Sequence, residues 1–339
     1  RDEPDGDCEG DTTAPNRRER RPGERERKRP DRQVGGEPEG DEPVLHQAYP
    51  RRGGVYRLWV DGVRAPSASA RAESFLRTAG GESRMTSLGI VVPAFRPDAE
   101  RLASYLRDLD AELGPETIRV ELDAPDDSIE RTLSALDVPP LEVNAVAHRR
   151  GKGAAITAGF EALSTDRVAF TDADESTAAA ELARVVGALD GADVAAGSRR
   201  HPDSTVVGHR TLVRRLLGDG FAWVARRALD SSLYDYQCGA KALTAGAWTT
   251  VRGHLYEPGF AWDIELLAVA GALGLSVREV PIAWTDRPGS TVDPIRTTLS
   301  MGKALLVTRH RAKRLQNSPL HHAIARSDEP TALVDRHRQ

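Results

Sequence analysis

Two carboxylates separated by one residue follow a short apolar run in the sequence FTDADES, residues 170–176. Asp172 and Asp174 project to the same side if the backbone stays extended, because side chains two residues apart share one face of a strand. Carboxylate oxygens are the ligands that Mg²⁺ and Mn²⁺ prefer, and such an ion commonly joins protein carboxylates to a substrate diphosphate. The pair therefore indicates a metal-assisted diphosphate site or, alternatively, a turn in which Asp174 caps the following helix.

Chance alone supplies several such pairs in a chain in which 51 of 339 residues are Asp or Glu, so the elements around the pair must support it. From Leu88 onward, short apolar runs alternate with stretches of helical periodicity, which predicts an α/β fold with a mostly parallel central sheet. Residues 98–113 repeat apolar residues at spacings of three and four behind Asp98, a favoured helix cap. The predicted strands are LGIVVPAF, TIRVELD, LEVNAVA, RVAFTD, ADVAAGSR and SVREVPIAW, while YDYQCGAKALT is predicted to be an aromatic loop.

Polar residues and glycines follow several of these predicted strands. In an open parallel sheet the ligand crevice lies beyond the carboxyl ends of the strands, so we expect these residues to converge there. They are Asp123, the turn at residues 151–153, Asp172, Asp174 and Arg199.

Two familiar phosphate-binding loops do not fit the glycine turn RRGKGAA, residues 149–155. A dinucleotide-binding turn needs a third small residue where this chain has Ile156. A Walker loop needs Lys and then Ser or Thr after its last glycine, and Gly153 is followed by Ala154. What remains is a metal-assisted diphosphate site, in which the ion neutralises the charge on a departing nucleoside diphosphate.

Residues 1–84 differ in composition from the rest of the chain. They contain 17 basic and 17 acidic residues, many Pro and Gly, and few aliphatic side chains. Such a stretch buries too little apolar surface to offset the entropy of ordering it, so we predict a disordered leader. Because Met85 shortly precedes the first strand, we hypothesise that the functional protein starts near it. The balanced charge of the leader argues against a nucleic-acid partner.

The remainder divides into a predicted catalytic domain, residues 85–294, a basic amphipathic helix, residues 295–315, and a weakly ordered tail, residues 316–339. The helix carries six basic and no acidic residues, with apolar residues that can share one side. It is predicted to lie on a membrane surface or, alternatively, to pack as an ordinary surface helix. No run of 18 apolar residues and no secretion signal is evident. With only Cys8 and Cys238, we expect an intracellular protein without a disulfide framework.

A set of motifs in a fixed order spans residues 88–315, about two-thirds of the chain. They are VVPAF, Asp123, GKGAAITAG, TDADEST, GSR, YQCGAKALT, FAWDIELL, VPIAWTDRPGS and MGKALL. In this order they resemble glycosyltransferase family two, and within it the dolichyl-phosphate glucosyltransferase and mannosyltransferase branch. QCGAK, WDIELL and the final MGK lean toward the glucosyl enzymes.

The resemblance implies a GT-A fold, a nucleotide-sugar donor such as UDP-glucose or GDP-mannose, and an inverting single displacement. It also implies a dolichyl or other polyprenyl phosphate acceptor and an Mg²⁺ or Mn²⁺ cofactor. The product would be a lipid-linked sugar for protein glycosylation or glycolipid assembly, made at the cytoplasmic face of a membrane. By position, the resemblance assigns Pro93, Phe95, Asp123 and Lys152 to binding of the nucleotide. It assigns Asp172 to the ribose and the metal, and Asp174 to the metal and to catalysis. Binding of the acceptor phosphate is assigned to Arg199, Arg210 and Arg214, and Asp263 is placed at the reacting centre as a base or a positioning group.

Three departures from the family pattern surround the expected nucleotide position. Arg96 and Pro97 stand where the family usually has Asn-Glu, Asp123-Ala124-Pro125 replaces the usual Asp-Asp-Gly-Ser, and Arg149 replaces an Asn. They bear on the identity of base and sugar more than on the reaction class. Two alternatives therefore stay open: a family two enzyme with a glycan acceptor, and a non-catalytic protein that binds nucleotide sugars.

Overall fold

The computed structural model describes residues 86–208, 220, 222–229, 233–287, 294–324 and 330–336. The predicted leader with Met85, and two of the predicted phosphate-binding arginines, Arg210 and Arg214, lie outside these residues. The strands are β1 Leu88–Phe95, β2 Thr117–Asp123, β3 Leu141–Val146, β4 Arg167–Thr171, β5 Val194–Ser198, β6 Thr205–Val207, β7 Ala240–Thr244, β8 Val277–Pro281 and β9 Ala283–Thr285. The α-helices whose bounds the structure describes are α1 Ala99–Leu113, α2 Asp127–Ser134, α3 Lys152–Ala162, α4 Ala179–Gly187, α5 Ala245–Val251, α6 Trp262–Ala272, α7 Pro294–Leu315, α8 Pro319–Ala323 and α9 Leu333–Arg336.

Seven of the described strands form one sheet in the order β3-β2-β1-β4-β7-β5-β8. Neighbouring strands run parallel except at β7, which is antiparallel to both β4 and β5. The prediction of a mostly parallel α/β sheet is confirmed. The predicted loop YDYQCGAKALT is corrected in part, because its last residues form the buried strand β7. The segment AKALT has only five residues and includes Lys241, so it does not show the alternation of apolar and polar residues that indicates a strand.

Helices cover both faces of the sheet. On one face, α1 buries Leu102, Tyr105, Leu106 and Leu109, the three-and-four spacing expected from the sequence. The Asp98 carboxylate accepts a hydrogen bond from the Arg101 amide at 3.1 Å, and so caps this helix as predicted. On the other face lie α3 and α6, which is buried all round.

Four aromatic side chains pack together within the larger hydrophobic core on one face of the sheet. The ring centroids of Phe170 and Trp262 are 5.5 Å apart with an edge-on geometry, and Phe160 meets Trp248 at 5.0 Å in the same way. Each such pair contributes about 0.5–1.5 kcal/mol beyond its buried area. The Trp262 indole also donates to Thr157 Oγ1 at 3.1 Å. Trp262 is thus a core residue, and it fixes the start of α6.

The basic helix predicted at residues 295–315 is present as α7. Its buried side chains Met301, Leu305 and Ala312 face the core, whereas Leu306 is 67% exposed. No helix among the described residues is both long and apolar enough to cross a membrane.

The segment predicted to be a weakly ordered tail, residues 316–339, is described in part. The described parts beyond residue 316 contain α8 and α9, and Leu333 of α9 is only 1% exposed. Its backbone amide donates to the Leu255 carbonyl at 2.8 Å. A single buried leucine with one backbone bond anchors this segment, a signal too small to see in the sequence.

Candidate active site

Asp172 directly follows β4, so its side chain lies at the carboxyl edge of the parallel strands. Its backbone amide donates to the Gly239 carbonyl at 3.1 Å, which ties it to the start of β7. From α1, the buried Tyr105 hydroxyl lies 2.8 Å from Thr171 Oγ1 and donates to the Thr177 carbonyl at 2.6 Å. The segment that carries the two carboxylates is therefore held at both ends.

Four side chains of alternating charge form a continuous row at this edge, which we name the charge row. Asp172 Oδ1 lies 2.9 Å from Lys152 Nζ, and the same Nζ lies 3.0 Å from Asp263 Oδ2. The other oxygen of Asp263 lies 2.7 Å from Lys241 Nζ. Lys241 also donates to the Cys238 carbonyl at 2.6 Å. The row brings together three predicted site residues and adds Lys241, which sequence reasoning did not assign to the site.

Burial and charge act against each other within the charge row. Burial disfavours ionised Asp263, which is 2% exposed, but the ammonium groups of Lys152 and Lys241 outweigh it and hold the pKa of this carboxyl below its usual value. Burial likewise opposes the charge of Lys152, but Asp172 and Asp263 raise its pKa above the usual value. Asp263 is therefore an ionised carboxylate whose two oxygens each have a lysine partner.

The pKa of the Asp172 carboxyl is shifted in the opposite direction from that of Asp263. Partial removal from water raises the pKa of its carboxyl above the usual value; Lys152 opposes this, while the charges of Asp174 and Asp263 add to it. Its side chain is still 42% exposed, unlike that of Asp263. A cation that approached from solvent would relieve the repulsion among these carboxylates.

Gly239 makes room for the Asp172 carboxylate. A Cβ atom at position 239 would lie 1.8 Å from Asp172 Oδ2, far inside van der Waals contact. No side chain other than hydrogen fits there while Asp172 keeps its place. The glycine in QCGAK was part of the family resemblance, but its steric role became visible only with the partner residue in place.

Asp174 is exposed and belongs to a turn. Its Oδ1 accepts a hydrogen bond from the Ser176 amide at 2.9 Å, and Glu175 has a left-handed φ of 59°. The helix after it, α4, begins at Ala179 with Ala178 as its cap residue. The alternative that Asp174 starts this helix is therefore wrong, although Asp174 does organise the turn before it.

The donor set suits a hard divalent ion with few protein ligands. In the described part of the chain, no group of three or more His, Cys, Asp or Glu side chains is placed to hold a metal. Mg²⁺ is commonly bound through one or two carboxylates, with phosphate oxygens and water as the other ligands. The partly exposed Asp172 and the exposed Asp174 fit that pattern, so Mg²⁺ or Mn²⁺ would be held together with a diphosphate.

Asp123, predicted near the nucleotide, holds the glycine turn before α3. Its Oδ2 accepts from the amides of Arg150 and Gly151 at 2.8 and 3.0 Å, and its Oδ1 accepts from Arg150 Nε at 2.7 Å. Arg150 also reaches the buried Glu121 at 2.8 Å. Gly151 has a φ of 101°, which only glycine adopts readily. The Asp123 carboxylate thus fixes the turn from which Lys152 projects.

Phe95 is flanked by two arginines at the end of β1. The guanidinium carbons of Arg149 and Arg96 lie 4.1 and 5.2 Å from its ring centroid. Pro93 lies two residues earlier on the same strand and is half-buried. Arg96 and Ala124 both have left-handed φ values, 49° and 45°, directly after adjacent strands. The departures from the family pattern are thus structural neighbours at one place in the crevice.

Arg199, predicted to bind a phosphate, is engaged by Asp235. Its Nε and Nη2 donate to the two carboxylate oxygens at 2.7 and 2.9 Å, and its backbone amide donates at 3.1 Å. Burial opposes the ionisation of Asp235, but Arg199 holds the pKa of its carboxyl well below the usual value. The guanidinium also lies 5.6 Å from the Trp284 ring centroid. A phosphate at Arg199 would therefore meet an arginine whose bidentate fork already has a partner.

Part of the chain is similar to known glycosyltransferases. Residues 90–231 match the family model described as Glycosyl transferase family 2. A mouse protein named dolichyl-phosphate beta-glucosyltransferase is 30% identical over 178 residues, 50% of this chain and 55% of that protein. A Dictyostelium discoideum protein of the same name is 26% identical over 243 residues, covering 66% and 74% of the two chains. The chain thus spans about half the length of the mouse relative.

Solved structures resemble the fold. Glucosyl-3-phosphoglycerate synthase from Mycobacterium tuberculosis, in complex with Mn²⁺, UDP-glucose and phosphoglyceric acid, superposes with a TM-score of 0.52 at 18% identity, covering 73% of this chain and 86% of that one. A second structure, described as a mycobacterial protein, has a TM-score of 0.52 at 21% identity and covers 67% and 75%. At these identities the likeness concerns the fold, a GT-A arrangement.

Proposed function

We propose that this chain, whose residues 90–231 match the family model described as Glycosyl transferase family 2, transfers a hexose from a nucleotide sugar to a polyprenyl phosphate. The observation that carries the proposal is the charge row, in which Lys152 joins Asp172 to Asp263 at the carboxyl edge of the sheet. The names of the mouse and Dictyostelium relatives support dolichyl phosphate as acceptor and glucose as sugar. UDP-glucose is the donor we propose, with GDP-mannose as the alternative.

The reaction we propose is an inverting single displacement. A phosphate oxygen of the acceptor forms the new bond to the anomeric carbon, while the bond from that carbon to the nucleoside diphosphate breaks and its electron pair leaves with the diphosphate. Asp172 and Asp174 would hold Mg²⁺ or Mn²⁺, which when bound neutralises charge on the leaving diphosphate. Lys152 is placed to support the same charge from the protein side.

In this mechanism Asp263 positions Lys152 and does not accept a proton. Its carboxylate is ionised and bound by two lysines, so neither oxygen is directed to a substrate. A base is not required, because a phosphate monoester with a second pKa near 6 is largely dianionic at neutral pH. Asp123 contributes indirectly, by holding the turn that begins α3.

The acceptor side of the site is proposed to lie near Arg199, with Arg210 and Arg214 contributing from outside the described residues. Guanidinium forks match phosphate oxygens well. Because Asp235 occupies the fork of Arg199, we propose that Arg199 frames the pocket and that the other two arginines supply most of the phosphate contacts.

A membrane surface is the proposed location of the lipid acceptor. Leu306 on α7 and Leu320 and Ile324 after it are 67%, 67% and 59% exposed. The ring nitrogens Nδ1 of His310 and His321 lie 2.9 Å apart, which places α8 against α7. Basic residues near an anionic surface contribute about 1 kcal/mol each. We propose that α7 and α8 rest on the cytoplasmic face, with these apolar side chains at the lipid.

The membrane proposal is tested by sedimentation with vesicles of anionic lipid. We expect Leu306→Glu to reduce the bound fraction severalfold, because a carboxylate replaces an apolar contact and repels the surface. The matched control is Val207→Glu, since Val207 is 57% exposed but lies on β6. Equal binding of both variants would argue against α7 as the contact.

The transfer itself is tested by incubating the protein with radiolabelled UDP-glucose or GDP-mannose, dolichyl phosphate and Mg²⁺ or Mn²⁺, followed by organic extraction. We expect label in the lipid phase, and a loss of at least about a hundredfold in Asp172→Asn. The control is Asp190→Asn, because Asp190 forms only an exposed ion pair with Arg167. Label that reaches a glycan and not the lipid would favour the glycan acceptor. Donor binding without any transfer would favour the non-catalytic alternative.

A further inference from the structure

A cavity of about 660 Å³ lies beside the β3 edge of the sheet, and its lining does not include the charge row. Ala154, Ala158 and Glu161 line it from one stripe of α3, and Val146 lines it from β3. Leu333 of α9 closes the far side, held by its backbone bond to Leu255. The larger part of the lining is apolar, so the cavity suits a ligand with an apolar body.

Two arginines line the cavity with unfilled capacity for an anion. The Arg150 side chain is 9% exposed, and its Nη2 is buried without a hydrogen-bond partner, although Nε and Nη1 bind Asp123 and Glu121. A buried charged donor without a partner is uncommon, because it loses its hydration without compensation. Arg336 donates to the carbonyls of Thr331 and Tyr256 at 3.0 and 3.2 Å, and both acceptors are neutral.

The acidic residue of the cavity does not cancel this positive charge. Glu161 lies 2.7 Å from Arg252 Nη1 and accepts from the Trp248 indole at 2.9 Å. Its carboxylate is thus already compensated from outside the cavity. His148 and Asn144 add further polar groups at the rim, near the end of β3. The cavity therefore combines apolar walls with the positive charge of Arg336 and with the unpartnered Nη2 donor of Arg150, whose own charge is paired with Asp123 and Glu121.

We propose that this cavity binds a small organic phosphate whose apolar body packs against Ala158 and Leu333 and whose phosphate binds Arg336 and Arg150. One consequence rests on the proposed function. Because Arg150 and Gly151 both donate to Asp123, a ligand that engages Arg150 also steadies the turn that projects Lys152 into the charge row. The site would then act on the transfer reaction from outside the crevice.

The binding site is tested by calorimetry on the full chain, with phenyl phosphate as the probe and inorganic phosphate and phenol as its two halves. No donor or acceptor is present, so the outcome is independent of the transfer activity. We expect saturable binding of one phenyl phosphate per chain, at least about tenfold tighter than either half, because the cavity provides both apolar and cationic contacts.

Variants then assign the binding to the cavity. Arg336→Gln is expected to weaken it about tenfold through loss of a charged contact, and Ala158→Phe to abolish it by filling the space. The controls are Arg131→Gln and Ala323→Phe, which lie on other helices and should bind as the unaltered protein does. Should Ala158→Phe fail to fold, the Arg336→Gln comparison decides. Absence of saturable binding, or equal binding by Arg336→Gln and the unaltered protein, overturns the proposal.

Discussion

The charge row predicts that Asp263→Asn will destabilise the protein strongly. The substitution keeps the shape of the side chain but leaves the ammonium groups of Lys152 and Lys241, 3.0 and 2.7 Å away, without the carboxylate between them. Lys241 is fully buried, so water cannot compensate it. Removal of one partner of a buried ion pair costs about 3–5 kcal/mol. That is a large share of the 5–15 kcal/mol typical of whole domains.

The pH dependence of this loss follows from the lowered pKa of Asp263. A carboxyl with a lower pKa in the folded state contributes stability above its unfolded pKa, which is about 3.9, and this contribution declines as the pH falls toward the folded value. Asparagine has no such dependence. The difference in unfolding free energy between the two proteins should therefore be full at pH 7 and shrink progressively below about pH 4.

Urea unfolding followed by tryptophan fluorescence measures the effect, since Trp262 is fully buried beside the charge row. The double variant Asp263→Asn/Lys241→Met removes both partners and should recover at least about 1–2 kcal/mol of the loss. Asp190→Asn is the control for an exposed carboxylate. A loss below about 1 kcal/mol, or no recovery in the double variant, would refute the claim that Asp263 holds two buried lysines.

Three further predictions concern the surroundings of the row. In Gly239→Ala the new Cβ would lie 1.8 Å from Asp172 Oδ2, so the Asp172 carboxylate must move. We expect this variant to weaken metal-dependent binding of UDP-glucose at least about tenfold, as measured by calorimetry. The control Gly187→Ala has open space around it and should not weaken binding. Arg199→Lys should lower the urea-unfolding free energy by about 1–3 kcal/mol, because one ammonium cannot replace the fork on Asp235. Arg184→Lys, at an exposed pair, should change it by less than about 0.5 kcal/mol. Removal of Mg²⁺ or Mn²⁺ with EDTA should weaken UDP-glucose binding about tenfold or more, since carboxylates and a diphosphate repel without the cation, and calorimetry with and without the chelator measures it.

The parts of the fold that could be predicted from sequence are those with a local period. The alternation of strand and helix up to β5 and the Asp98 cap of α1 depend on residues close together in the chain. Strand β7 could not be predicted, because five residues that include a lysine show no period, and its burial follows from β4 and β5 on either side.

Residues of the candidate site could be named from the sequence, but the residues with which they pair could not. Asp172, Lys152 and Asp263 were each assigned to it from the resemblance, yet their direct contact joins positions 20 to 111 residues apart in sequence. Asp123 was expected near the nucleotide, and its bonds to Arg150 depend on a turn conformation that no spacing rule contains. Pairings of this kind arise from tertiary packing, which local sequence patterns do not encode.

The position of β7 in the sheet has a consequence for the order of folding. Its neighbours β4 and β5 are synthesised first. The edges of these two strands that face each other stay unpaired until residues 240–244 form β7 between them. Pairings between distant segments are slow to form, and unpaired strand edges in the meantime promote association with other chains. A chain interrupted shortly before residue 240 lacks both β7 and β8, so one edge of β4 and both edges of β5 would be unpaired. We therefore expect truncation there to yield aggregates, whereas completion of β7 joins β4 to β5 and β8 then pairs with the other edge of β5.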